Sequence, residues 1–254
     1  MTDGWSPYVA WMKAAAPVTY DLRGSNLLHC SVEDLPGSRE RLALDDLHED
    51  GYEPLLEAIA HQYGMESDRV ALAPGTSGAN FLVCGSLLRP GDEVLIERPV
   101  YDPLREVPSF LGVEVRRFDR VFREGFAVDP DRVASAVTPR TRLVILTNLH
   151  NPTGVATDPD RLMAVAEVAE SVGARVLVDE VYLESVPGEA QAPAASLSPT
   201  LISTSSLTKA YGLSGLRAGW ILGAPEVVEG CRRFRDLVDA EGAFPSELLA
   251  LIAF

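Results

Sequence analysis

RLVILTNLHNPTGVATDPDRLMAVAEVAESVGARVLVD, residues 142–179, carries one complete strand–helix–strand pattern. RLVILT, Arg142 to Thr147, is a short apolar run rich in β-branched residues and reads as a buried strand. Pro159 to Ser171 spaces its apolar residues for one face of a helix and opens on Asp158-Pro159, a starting signal. Arg175 to Val178 is a second apolar strand. Two buried strands joined by a helix imply parallel pairing, because only a crossover returns the chain to the same end of a sheet.

The same alternation extends in both directions. Upstream, Tyr52 to Tyr63 places Leu55, Leu56, Ile59 and Ala60 on one helical face. Strands are expected at Arg69 to Leu72, Glu93 to Glu97 and Val113 to Phe118, with helices at Ser77 to Leu88, Asp102 to Leu111 and Pro130 to Ala136. Downstream, strands are expected at Leu201 to Ser205 and Gly219 to Leu222, then helices at Pro225 to Ala240 and from Ser246 onward. The prediction is an α/β fold with a mostly parallel seven-stranded sheet and helices on both faces. The first forty or so residues read as irregular, and Glu189 to Ala195 (EAQAPAA) as a flexible loop.

The 254 residues are 46% hydrophobic, enough for a real core, and carry a formal charge of −15. That balance argues against nucleic acid and anionic membrane surfaces as partners. Cys30, Cys84 and Cys231 are scattered, form no CxxC pair and point neither to a disulfide framework nor to a metal site. Buried free thiols in a reducing cytoplasm are the expectation. Met1 to Pro17 lacks the basic start and apolar core of a signal peptide, and no stretch is long and apolar enough to span a bilayer.

Four polar clusters follow predicted strands, where such sheets bind ligands. Gly75-Thr76-Ser77-Gly78-Ala79-Asn80 offers small residues and a helix start to an anion, although a plain cap explains it equally well. Asn148-Leu149-His150-Asn151-Pro152-Thr153-Gly154 taken alone is a turn, and His150 alone earns no catalytic role. Asp179, with Glu180 and Tyr182, ends a buried strand, where a carboxylate needs a donor, a cation or solvent. Ser205 to Trp220 (SSLTKAYGLSGLRAGW) sets Lys209 among hydroxyls and glycines, eight residues before Arg217. A lysine desolvated there, or placed beside another cation, loses its proton more readily and can form a Schiff base.

The order of HNPTG, VDEVY and SSLTKAYGLSGLRAGW resembles the class I/II aminotransferases, enzymes of fold type I that use pyridoxal 5'-phosphate. The likeness runs from about Gly51 to the last residue. It implies that Lys209 forms the Schiff base with the cofactor and moves the proton, and that Asp179 pairs with the protonated ring nitrogen. It implies Asn151 and Tyr182 on the phenolic oxygen and Tyr101 stacked on the ring. Thr76, Ser77, Ser206, Thr208 and Arg217 are implied as the phosphate cradle. Lys209, Asp179 and Tyr182 are thus the catalytic candidates.

The implied activity is amino-group transfer between an amino acid and a 2-oxo acid, in a homodimer. A lyase or decarboxylase of the same fold, and an impaired cofactor-binding remnant, remain alternatives. No Walker-type GKS or GKT and no GxGxxG after the first strand is present, which argues against a nucleotide site. By the resemblance, residues 1–40 are an N-terminal arm or partial small-domain segment and 41–254 the large cofactor-binding domain. PSELLALIAF resembles the middle of the family's large domain. The expectation is a chain truncated at its C-terminal end, lacking the small domain and the arginine that clamps the substrate carboxylate, and poorly soluble or inactive alone. Many relatives place a tyrosine before Gly51 that reaches the neighbouring subunit's phosphate; Asp46 stands in that neighbourhood here.

Overall fold

The computed structural model describes residues 5–21, 23–26, 29–45, 48–186, 188 and 191–254. Its centre is one seven-stranded sheet: β1 (Val70–Pro74), β2 (Glu93–Arg98), β3 (Glu114–Asp119), β4 (Thr141–Thr147), β5 (Arg175–Asp179), β6 (Leu201–Ser206) and β7 (Ala218–Leu222). The order across the sheet is β1-β7-β6-β5-β4-β2-β3. The pairs β3–β2, β2–β4, β4–β5 and β5–β6 are parallel, and β7 runs antiparallel to both its neighbours. The mostly parallel sheet inferred from the 142–179 unit is therefore present, with β7 as the exception.

Nine helices longer than one 3₁₀ turn occur among the described residues: α1 (Pro7–Ala14), α2 (Ser38–Arg41), α3 (Glu53–Tyr63), α4 (Gly75–Leu87), α5 (Pro103–Phe110), α6 (Pro130–Ala136), α7 (Pro159–Ser171), α8 (Pro225–Arg235) and α9 (Phe244–Ala253). Alternate strand residues face opposite layers. Val94, Ile96, Leu143, Ile145, Leu177, Ile202 and Ile221 pack with α4, α5 and α8 on one side. Leu95, Val144, Leu146, Val176 and Val178 pack with α6 and α7 on the other. Beside that second layer, α3 and α9 cover Val70, Leu72, Trp220 and Leu222. Leu55, Leu56, Ile59 and Ala60 are the buried face of α3, as their spacing predicts. No helix among the described residues is long and apolar enough to cross a membrane.

Four expectations need correction. The N-terminal segment is not wholly irregular: Pro7–Ala14 is helical, with Ser6 as its cap, accepting from the Val9 N–H. It buries none of its residues, so it leaves no apolar periodicity to read. The helix from Pro225 stops at Arg235 rather than Ala240, because the N–H groups of Val238, Asp239 and Ala240 all turn back onto the Arg235 carbonyl. Within the supposed loop at 189–195, Glu189 and Ala190 lie outside the described residues, but Ala194 and Ala195 are buried. Their N–H groups donate to the Glu180 carboxylate (3.1 Å) and to Ser203 Oγ (2.9 Å), which docks that part of the segment. Finally, Cys84 and Cys231 are buried thiols but Cys30 is exposed.

Candidate active site

The carboxyl ends of β4, β5 and β6 open into a cavity of about 640 Å³. Strand ends and helix starts place the predicted residues there by different routes. Thr76, Ser77, Tyr101, Asn151, Asp179, Tyr182, Ser206, Thr208, Lys209 and Arg217 all line it. Residues more than a hundred positions apart in the chain are thus brought to one hollow. His150 is not among the lining residues.

At one end lies an anion-ready corner. Helix α4 begins at Gly75 with no side-chain cap, so its first N–H groups have no side-chain partner there. The helix start favours negative charge. Thr76 Oγ1 donates to Ser206 Oγ (2.8 Å), and the Thr208 N–H donates to the same oxygen (3.3 Å). Arg217 swings in from the turn before β7 in a left-handed conformation (φ 52°). Its Nη1 meets Thr208 Oγ1 at 3.4 Å and the Ser214 carbonyl at 3.3 Å, while Nη2 meets the Pro74 carbonyl at 3.4 Å. These are long contacts on an exposed side chain, so the guanidinium keeps donors to offer. Gly75 is required at this spot: it has φ +74°, and a Cβ there would collide with the Arg217 guanidinium.

The floor holds Asp179, the last residue of β5. Its Oδ2 accepts from Asn80 Nδ2 (2.8 Å) and its Oδ1 from the Val181 N–H (3.2 Å). Asn80 is itself oriented by Thr204, whose Oγ1 donates to Asn80 Oδ1 (2.7 Å). Burial pushes the Asp179 carboxyl up to about 6, against the opposing pull of Asn80, the Val181 N–H and Lys209. A cation facing this carboxylate is therefore strongly favoured.

Lys209 stands across from it, half-buried. Burial pulls its amine below the ordinary lysine range, with Arg217 adding to the effect and Asp179 opposing it. Its Nζ lies 5.9 Å from the centre of the Tyr182 ring and donates to Ser25 Oγ (2.7 Å) and Asn26 Oδ1 (3.2 Å). The turn 181–182, followed by a 3₁₀ turn at Leu183–Ser185, lets both Asp179 and Tyr182 reach the cavity.

Several contributors escape the sequence reading. Asn80 closes the quoted GTSGAN run, but only the fold shows that it holds Asp179. Ser25 lies in a segment without periodicity. Tyr8, Val9, Met12 and Lys13 of α1 form a wall of the cavity. That helix is tied down by Asp102, which accepts from Ser6 Oγ (2.8 Å) and from the Tyr8 N–H (3.0 Å). The Tyr8 ring meets Tyr101 edge-on at 5.8 Å. Asp46 lies outside the described residues.

His150 has a scaffolding position. Its ring nitrogens contact Thr153 Oγ1 (2.6 Å) and the Pro99 carbonyl (2.9 Å). Burial pulls it down to about 4, so it is neutral at ordinary pH. Two further buried acids flank the site. Burial pushes Glu180 up to about 8 against its hydrogen bonds, and raises Glu97 as well, where Arg120 and Thr147 pull the other way. Between pH 6.5 and 8 the folded chain then holds on Glu180 a proton that the unfolded chain has released, so stability falls as pH rises. The opposite contribution of His150 lies below about 6.5 and does not interfere. Without cofactor, the melting temperature is expected to drop by on the order of 2–4 °C over that interval. A flat or rising profile in calorimetry would contradict it.

Sequence and structure comparisons agree with this architecture. The profile described as "Aminotransferase class I and II" matches residues 47–250. The Mycobacterium tuberculosis protein named "Probable N-succinyldiaminopimelate aminotransferase" is 33% identical over 215 residues, covering 80% of this chain and 54% of its own length. The aspartate/prephenate aminotransferase of Thermus thermophilus is 29% identical, covering 70% of this chain and 48% of its own. The chain thus spans about half the length of these curated relatives. The solved structure of N-succinyldiaminopimelate aminotransferase from M. tuberculosis superposes with a TM-score of 0.81 at 29% identity, over 91% of this chain and 64% of that one. A T. thermophilus aspartate aminotransferase with maleate gives 0.84 at 22% identity over the same shares, a likeness of fold. With the profile spanning most of its residues and the site assembled at the strand ends, the chain belongs to the class I and II aminotransferase family.

Proposed function

We propose that this chain binds pyridoxal 5'-phosphate and transfers an amino group between an amino acid and a 2-oxo acid. One observation carries the reading: a primary amine, a buried carboxylate and an anion-ready helix start face a single cavity. The residues fit the cofactor. The α4 start, Thr76, Ser77, Ser206, Thr208 and Arg217 suit a phosphate, because guanidinium and backbone N–H groups favour its oxygens. Asp179 suits a protonated ring nitrogen, since a cation would hold it ionised in its buried place. Asn151 and Tyr182 suit the phenolic oxygen, and Tyr101 the ring face.

When bound, pyridoxal phosphate supplies an aldehyde that captures amines and a heterocycle that accepts electrons from a substrate carbon. The chain supplies the rest. Lys209 offers an amine whose proton affinity is lowered by burial, so it can take a proton from the substrate α-carbon and return it elsewhere. Asp179 would hold negative charge for the protonated ring nitrogen. Tyr101 and the α1 wall exclude water from one side of the cavity. Residues 1–40 act as an arm and 41–254 as the cofactor-binding domain, and the working unit is a homodimer. In this reading the donor is an amino acid, the acceptor a 2-oxo acid and the compartment the cytoplasm.

The test is chemical. Pyridoxal phosphate is added, the chain is reduced with borohydride and digested, and the labelled peptide is mapped. The label is expected on Lys209. If the proposed transfer holds for this chain, against the inactivity expected from its sequence, adding an amino acid to the loaded chain releases the 2-oxo acid without ammonia. Release of ammonia with no need for an acceptor would instead favour a lyase of the same fold.

A further inference from the structure

Asn151 belongs to the cavity wall, yet it sits in a loop rather than on a strand. What holds it lies one layer deeper. Thr147 ends β4, and its Oγ1 accepts from the Asn151 N–H (2.8 Å). The Thr147 hydroxyl hydrogen is committed elsewhere, to Glu97 Oε1 (2.6 Å), and the Thr147 N–H donates to the same oxygen (2.7 Å). With its proton fixed on Glu97, the Thr147 oxygen has its lone pair directed at Asn151.

Glu97 is in turn held by Arg120. Nη1 of Arg120 donates to Glu97 Oε2 (2.9 Å), and both side chains are fully buried. Arg120 also donates from Nε to the Phe126 carbonyl (2.6 Å) and from Nη2 to Thr157 Oγ1 (3.4 Å). The Thr157 N–H closes the circuit by donating to Asn148 Oδ1 (3.0 Å). Neither Glu97 nor Arg120 lines the cavity.

A buried ion pair is poor evidence for stability, because desolvation cancels much of the attraction and apolar residues often do as well. Its use here is directional. The geometry points to Glu97 and Arg120 as a positioning pair that acts through Thr147 to set the station of Asn151 at the cofactor's phenolic oxygen. The inference rests on the proposed function for its cofactor. It adds two residues that do not line the cavity and that act through Thr147, which does.

The test uses the full chain loaded with pyridoxal phosphate, and reads the pH midpoint of the bound cofactor's absorbance. The melting temperature without cofactor is measured alongside. Asn151→Ala removes a donor from a negatively charged oxygen, so its midpoint is expected to rise by about one pH unit. Thr147→Val keeps the side-chain shape but loses the relay oxygen. Its midpoint is expected to move in the same direction, by at least half as much. Thr147→Ser keeps the oxygen and is expected to stay at the parent value. In the Thr147→Val/Asn151→Ala double variant, the Thr147 effect is expected to vanish, because both act on one contact. Glu97→Leu, which leaves the Thr147 hydroxyl without its acceptor, is expected to repeat the Thr147→Val shift, and a folded Glu97→Leu chain with the parent midpoint overturns the role of the pair.

A Thr147→Val chain with a lowered melting temperature but the parent midpoint, while Asn151→Ala is shifted, overturns the positioning role and leaves the proposed function standing. An unmoved midpoint in Asn151→Ala removes the contact itself, and both ideas fall at that residue.

Discussion

Lys209→Ala is expected to abolish borohydride-fixed labelling and to slow amino transfer by at least about 10⁴-fold. The residue has two jobs in the proposed function. Its amine is the one placed in the cavity across from Asp179, and it is the base that burial has made easier to deprotonate. General acid–base work alone contributes about 10²–10⁴-fold, and loss of the covalent tether adds to that. Alanine removes both without disturbing the core, because Lys209 is half-buried and its hydrogen bonds go to Ser25 and Asn26. Phosphate-end contacts would remain, so the variant should still bind the cofactor reversibly. Peptide mapping and stopped-flow absorbance after adding an amino acid provide the measurement. A variant that still carries the full label would show that another amine is used.

Asp179→Asn is expected to slow the same half-reaction by about 10²–10³-fold while changing cofactor affinity less than tenfold. Asparagine has nearly the same shape but a single acceptor oxygen, so it keeps only one of the two donors, the Asn80 amide and the Val181 N–H, that hold Asp179 now. What disappears is the negative charge that would face the ring nitrogen. Burial already works against that charge, so its retention depends on a cation facing it. A neutral neighbour should leave the ring nitrogen less protonated and the ring a weaker acceptor of electrons. The two effects separate in a fluorescence titration of binding and a single-turnover rate. Equal losses in both would mean that Asp179 serves binding alone.

Much of this fold is legible in the chain because its strands are buried on both faces and so stand out as apolar runs. RLVILT and RVLV become neighbours, with Leu143 to Thr147 in register with Arg175 to Asp179. Helices with a Pro start, such as Pro130–Ala136 and Pro159–Ser171, fall at the expected boundaries because the start signal is local. The N-terminal helix escapes because it buries nothing, and the stop of α8 escapes because it depends on carbonyl-directed turns after Arg235. For the site, residues that share a motif with chemistry are visible: Lys209 with Arg217, Asp179 with Tyr182, Asn151 in its turn.

The sequence by itself determined the alternation of strands and helices and the order of the polar clusters at strand ends, whose resemblance to a known family points to the aminotransferases. It did so because period, apolar runs and turn residues are local properties. Only the tertiary structure decided which partners hold those clusters: Asn80 behind Asp179, Ser25 on Lys209, Arg120 and Glu97 behind Thr147. Each of these contacts joins positions 23 to 184 residues apart. A buried polar group must find its partner wherever packing brings one, and no local pattern records where that is.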